Sequence, residues 1–245
     1  MNRKTILTFF LFIFCISNLS TLDLFNRIKI YWLGYSCFYI ESPAGLKILM
    51  DPLSESLGYD MPNLVMPDIV TISNERFEHN NMSFVGGRPR IIKDKVYEKI
   101  GDVVIKAIET ETKESETAGS NKKNMMYLFE IGGLRVVHIG ALGHILTKKQ
   151  YKKIGKVDIL IVNINDKYAI NYLQAYDMCR KIKPRIILPM GFKKEILKGV
   201  DNILRKFLNS FENAAFQNFV YLNKQEIREN NMQVLVLGVM NKLFE

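Results

Sequence analysis

Imidazole and carboxylate side chains are the groups best suited to bind zinc or manganese, or to move protons near neutral pH. In this 245-residue chain the imidazoles are His79, His138 and His144, and Glu78 precedes the first of them. Three histidines are few for a histidine-based metal site. Glu78 and His79 lie in the polar run 74–81, which directly follows the apolar run 68–73 (DIVTIS). Loops leaving a strand are common places for a site, so this pair is the leading acid/base candidate, set against a plain role in bonding the loop backbone. His138 sits inside an apolar run, and for it and His144 a structural role is the expectation. Glu109 and Glu111 add two carboxylates at the end of another apolar run. Cys15, Cys37 and Cys179 are far apart and form no C-x-x-C pair, so neither a disulfide framework nor a zinc knuckle is encoded. The spacing leaves open whether Cys37 and Cys179 pair or stay buried and free.

The elements that would position these residues follow from hydrophobic pattern. Residues 27–33, 37–40 and 47–50 are β-branched and aromatic, with the turn Ser42-Pro43-Ala44-Gly45 between the last two, and read as a meander that ends at Asp51-Pro52. Further strands are expected at 68–73 and 103–108, then at 127–131 and 134–139 around the hairpin signal Gly132-Gly133. The polar stretch 109–124 lacks apolar periodicity and reads as a loop or hairpin. Thr147 with Gln150 has capping-box spacing, with Leu146 placed as its staple. Strands at 157–164, 185–190 and 234–239 alternate with helices whose apolar faces carry Tyr172, Ala175, Tyr176, Cys179 and Ile182, and then Ile203, Leu204, Phe207, Leu208 and Phe211. Pro184 stops the first of these helices. The expected class is α/β, with two packed sheets and outer helices.

Composition narrows the partners. Hydrophobic residues make up 48% of the chain and charged residues 24%, which excludes disordered and fibrous classes. The net charge of +9 is scattered, favours anionic partners without specifying one, and comes with no nucleic-acid recognition motif. Asn2, Arg3 and Lys4 precede an apolar run, 6–16, broken only by Thr8 and followed by Ser17 and Ser20, the layout of a signal peptide over 1–20. That run is short of the ~20 apolar residues of a spanning helix. No A-x-A site follows, so an uncleaved anchor is the alternative. Cys15 raises a lipoprotein reading, against which Phe14 stands where a small residue is expected. The chain is therefore expected to be exported to a periplasmic or extracellular space, with one domain over 28–240 and membrane contact only through its N-terminal segment.

Ile30-Tyr31-Trp32-Leu33-Gly34-Tyr35-Ser36-Cys37-Phe38 and Lys47-Ile48-Leu49-Met50-Asp51-Pro52 resemble the opening of metallo-β-lactamase-fold hydrolases of the ascorbate-phosphate lactonase-like group. The resemblance continues in order through Pro67-Asp68-Ile69-Val70-Thr71-Ile72-Ser73, through Asn124 and the run 127–144, and through Val157-Asp158-Ile159-Leu160, Tyr168-Ala169-Ile170 and Lys183-Pro184-Arg185-Ile186-Ile187-Leu188-Pro189-Met190. It implies an αββα sandwich of two mixed sheets whose edge loops carry one or two metal ions, zinc or manganese.

The resemblance also implies where ligands should be. Its metal loop reads His-x-His-x-Asp-His, and the corresponding residues here are Asn74, Arg76, Glu78 and His79. A further metal histidine should fall near 112–114, which has none; the bridging aspartate is replaced by Ala141, the last histidine by Gly191, and a frequent histidine after the first glycine by Tyr35. An amide does not become anionic, and a guanidinium repels a divalent ion. The expectation is a metal-free, non-hydrolytic relative with no cofactor, kept as a binding or interaction module for an unidentified small anion or protein. Arg76, Lys193 and Lys194 are the expected anion site, with pairing of Arg76 to Glu78 or Glu75 as the alternative. The competing functional reading is an active hydrolase of an ester, lactone or phosphate-bearing small molecule, using Glu78, His79, Glu109 or Glu111 in a rebuilt metal site or none.

Overall fold

Alternation of side chains decides which face of the first strands turns inward. In β1 (Ile28–Gly34), Ile28, Ile30 and Trp32 are buried, while Lys29 and Tyr31 are half-buried on the other face. The computed structural model describes residues 26–59, 64–113, 122–165, 167, 169–192, 202–227 and 232–240. β1 pairs antiparallel with β2 (Cys37–Glu41), and β2 with β3 (Lys47–Met50). β4 (Ile69–Thr71) and β5 (Arg90–Ile92) add in parallel, and β13 (Phe219–Leu222) closes the other edge, giving the order β13-β1-β2-β3-β4-β5. Inward Ile30, Ile40, Ile48 and Ile69 lie side by side across this sheet.

The second sheet begins antiparallel with β6 (Tyr97–Ile100), β7 (Val103–Glu111), β8 (Lys123–Ile131) and β9 (Leu134–His138). It continues in parallel through β10 (Ile159–Asn163), β11 (Ile186–Met190), β14 (Gln233–Leu237) and β12 (Ala214–Gln217). Its all-buried β10 and β11 fit a parallel sheet covered on both faces. Gly132 and Gly133, at φ 56° and 71°, make the two-residue turn of the β8–β9 hairpin, where both central residues need positive φ.

Helix α1 (Lys148–Ile154) starts at Thr147, whose side chain and that of Gln150 form the anticipated reciprocal cap. Helix α2 (Tyr172–Ile182) has the same device in Asn171 and Gln174 and ends at left-handed Lys183, ahead of Pro184. It packs on β10 and on α3 (Asn202–Leu208), where the Phe211 ring meets Tyr176 edge-on at 5.1 Å and Phe207 at a tilt at 5.0 Å. A short α4 (Lys224–Ile227) follows β13. One continuous apolar core joins both sheets. No helix among the described residues is long and apolar enough to cross a membrane.

The expected α/β class with two mixed sheets and outer helices is what the structure has. At the two ends of stretch 109–124, β7 and β8 stay paired out to Glu111 and Lys123; residues 114–121 lie outside the described residues. Cys37 and Cys179 are both buried and free. The signal or anchor segment 1–20 also lies outside the described residues.

Candidate functional site

The chain ends of β3, β4, β9, β10 and β11 meet at one end of the sandwich. A carboxylate is at the centre. Asp51, directly after β3, is fully buried and takes the left-handed backbone with φ 47°, which turns its side chain toward the loop after β4. Its Oδ1 accepts the Ser73 N–H at 2.7 Å, and its Oδ2 accepts the Ser73 hydroxyl and His79 Nδ1, each at 2.6 Å. Burial alone would raise this carboxyl's pKa. The imidazoles of His79 and His138, with the hydrogen bonds from His79 and Ser73, outweigh it and hold Asp51 below its ordinary value. Asp51 in turn fixes His79 with Nδ1 as the donor, leaving Nε2 as the ring atom without a bond to a described residue.

His138 is buried on β9. Nε2 donates to the Ser36 carbonyl at 3.0 Å, Nδ1 accepts the Gly140 N–H at 3.3 Å, and Nδ1 lies 3.9 Å from Asp51 Oδ2. Desolvation pushes its pKa down, and its two ring bonds make it a structural strut between β9 and the Ser36 carbonyl. His144 also works as a strut: Nδ1 donates to the Ile145 carbonyl at 3.0 Å and Nε2 accepts the Glu111 N–H at 3.4 Å.

The remaining candidates from the metal-loop comparison are brought to the same end, but each is already engaged. Asn74 donates to Ser73 Oγ at 3.1 Å and accepts the Arg76 N–H at 3.2 Å, so its amide shapes the loop. Arg76 donates through Nε and a terminal nitrogen to the two oxygens of Glu78, both at 3.3 Å, with the carboxylate 4% exposed. The pairing alternative therefore holds for Arg76, and an incoming anion would have to compete with Glu78; Lys193 and Lys194 lie outside the described residues. Glu75 bonds Asn80 and Lys93. Ala141 donates its N–H to Asn124 Oδ1 at 2.9 Å, and Asn124 is anchored to Thr110 and Ile139.

Gly191 has φ 84°, and a Cβ there would overlap the Asn163 amide. Its N–H donates to the Tyr35 carbonyl at 3.1 Å and its carbonyl accepts from Asn165 at 2.8 Å, while the Tyr35 ring stands edge-on to His79 at 6.1 Å. Glu109 is exposed and pairs with Lys95 at 3.0 Å, away from His79 in bonding terms. Glu111 engages His144 and Gly143 only through its backbone. An open depression of about 220 Å³ beside Asn74 is lined by Ile72, Ser73, Glu75, Lys93, Asp94 and Lys123.

A metal ion needs several convergent imidazole, thiolate or carboxylate donors. No group of three or more such residues is found among the described residues. The cationic Arg76 stands on Glu78, and Asn163 fills the space into which a side chain at 191 would extend. The described residues do not fit the group. What persists is a carboxylate–imidazole pair, an arrangement that orients a histidine ring.

Residues 29–191 match the family model described as a beta-lactamase superfamily domain. The chain belongs to this superfamily. Among curated relatives, a UPF0173 protein of Pyrococcus abyssi is 29% identical over 218 residues, covering 75% of this chain and 98% of the relative. A UPF0173 metal-dependent hydrolase of Methanosarcina barkeri is 23% identical over 193 residues, covering 67% and 83%. A crystal structure from Thermotoga maritima, assigned as a Zn-dependent hydrolase of the metallo-beta-lactamase superfamily, superposes with TM-score 0.68 at 29% identity over 86% of this chain and 99% of that one. The superfamily fold thus agrees with the sequence expectation.

Asp51, Ser73 and Asn163 escaped sequence reasoning as site residues. Asp51 carried a usable signal, an acidic residue ending a buried strand before proline. Ser73 and Asn163 carried none, because serine and asparagine at strand ends are ordinary loop chemistry.

Proposed function

We propose that this chain is a metal-free, non-hydrolytic member of the superfamily, exported or tethered by its N-terminal segment, and retained as a binding or interaction module. The observation that carries the reading is the state of the loop after β4: Asn74 turned into the loop, Arg76 neutralised by Glu78, and His79 held by Asp51. A metal-activated water would require ligands that polarise it. The side chains at this end are instead spent on one another. The depression beside Asn74, rimmed by Glu75, Lys93, Asp94 and Lys123, is where a small polar ligand or a partner's charged side chain would meet this end.

The second reading is an active hydrolase of an ester, lactone or phosphate-bearing small molecule. It is favoured by the relatives' description as metal-dependent hydrolases and by the retained Asp51–His79 pair, whose Nε2 could take a proton. Metal analysis separates the two. Protein purified without chelator is expected to carry far less than one equivalent of zinc, manganese or iron, and added zinc should leave its melting temperature unchanged, because only a ligand that binds the native state shifts it. Stoichiometric, tightly held metal would overturn the first reading and favour the second. Cell fractionation with sequencing of the mature N-terminus tests export: a start shortly after Ser17 or Ser20, or retention with membranes, is expected, and full-length chain in the cytosol would contradict it.

A further inference from the structure

Two edge strands from the last third of the chain expose aromatic rings on one flank of the sandwich. Phe216 on β12 is 62% exposed, and Phe219 and Tyr221 on β13 are 42% exposed each. Only Asn218 separates β12 from β13, so the flank runs across the rims of both sheets. Val220 is buried, so Phe219 and Tyr221 stand on the outward face, opposite Tyr31 and Lys29 of β1. The Tyr31 ring lies 5.5 Å from that of Phe219. The Arg27 guanidinium stands 4.9 Å over the Tyr221 ring and the Lys29 amine 5.9 Å over it.

Tyrosine and phenylalanine interleaved with arginine and lysine is the composition that settles at the headgroup level of a bilayer, where rings bury their bodies and polar tips stay wet. Position favours the same occupant. β1 starts at Ile28, so Lys29 and Tyr31 are among the first residues after the N-terminal stretch. Between the apolar run 6–16 and Arg27 lie only residues 17–26, which reach at most ~35 Å when extended. A tether that short keeps the flank at high effective concentration near any bilayer holding the run, so weak aromatic partitioning is enough to seat it.

We propose that the β12–β13 flank rests on the interfacial zone of the bilayer in which the 6–16 run is anchored. The proposal rests on the anchor reading of that run. Arg27 is paired with Glu226, and Lys29 with Glu41 at 3.3 Å, so the rings rather than net charge drive the contact. Adsorption of the flank should therefore be the same on zwitterionic and anionic lipid and tolerate salt.

Hydrogen exchange of the full chain on phosphatidylcholine vesicles, with and without phosphatidylglycerol, tests this. The expected result is slowed exchange of β12 and β13 amides on both vesicle types, lost in the Phe216→Ser/Phe219→Ser double variant while the chain still sediments with vesicles. Tyr97→Ser, at a residue 73% exposed on the opposite edge strand β6, should keep the slowing. Sedimentation without slowing at β12–β13 overturns the flank contact and leaves the anchor standing. Failure to sediment overturns both. Slowing that appears without vesicles as protein concentration rises, together with a doubled mass, assigns the flank to a second copy and overturns the proposal.

Discussion

Asp51 stays anionic inside the protein because His79, Ser73 and, more distantly, His138 surround it. Removing His79 takes from this buried carboxylate a hydrogen-bond donor at 2.6 Å, so His79→Ala should cost about 1.5–3 kcal/mol. Denaturant unfolding measures it, and a loss within the range of ordinary surface changes would mean that the pair carries no structural load. The pH dependence has a definite sign. His138 has its folded pKa below its ordinary 6.5, so the unfolded chain takes up a proton that the folded one refuses, and stability falls as pH drops below 6.5. Asp51, with its folded pKa below 3.8, contributes stability that is present above that value and lost as pH falls through the depressed one. His138→Gln should therefore lower stability at neutral pH yet flatten its decline between pH 6.5 and the carboxylate range. An unchanged slope in urea midpoints against pH would show that another group carries the acid limb. At this scale His79 was legible from its type and its loop. Its pairing with Asp51 was not, because twenty-eight positions separate the two and the left-handed turn at Asp51 brings them together.

Strands and helices with a clear period were legible to within a few residues: β1 through β4, the β8–β9 hairpin, β10, α2 and β11 all follow apolar pattern, and the Thr147–Gln150 capping box does its expected work, whereas the Asn171–Gln174 box went unread. The edge elements β5, β6, β12 and β13 were not. They are three or four residues long and largely exposed, so they carry little hydrophobic signal and exist through pairing with a neighbour. The loops at the site were legible as sequence and not as geometry. Position 191 illustrates this: its side-chain space is taken by Asn163, and its backbone has the positive φ that side chains rarely adopt. Grafting the superfamily donor set with Asn74→His, Arg76→His, Glu78→Asp, Ala141→Asp, Gly191→His and a histidine at Lys113 should consequently bind zinc poorly. Adding Asn163→Gly opens the space and should raise zinc affinity, read by calorimetry. Equal affinity with and without Asn163→Gly would show that the loop relaxes unaided.

At the scale of the whole molecule, polar bonds fasten the two sheets to each other at the site end, as Ser42 and Asp102 do at the opposite end. Tyr127, on β8 of one sheet, is fully buried, and its hydroxyl reaches the carbonyls of Ile72 and Ile92, at the ends of β4 and β5 of the other, at 2.8 and 2.9 Å. His138 reaches across in the same way to Ser36. Burial pushes the Tyr127 phenol well above its ordinary value, so the hydroxyl remains a donor throughout the stable range. Tyr127→Phe keeps the ring and its packing on Phe129 but removes the donor. Ile92 still receives the Ile72 N–H, whereas the Ile72 carbonyl loses this hydroxyl. Leaving a buried acceptor short of a donor costs ~1–3 kcal/mol. If one core joins the sheets into a single cooperative unit, the whole cost should appear as a lower denaturant midpoint with an unchanged slope, since the surface exposed on unfolding is the same. A broadened or two-step transition in the Tyr127→Phe protein would instead show that the sheets unfold separately once this fastening is cut.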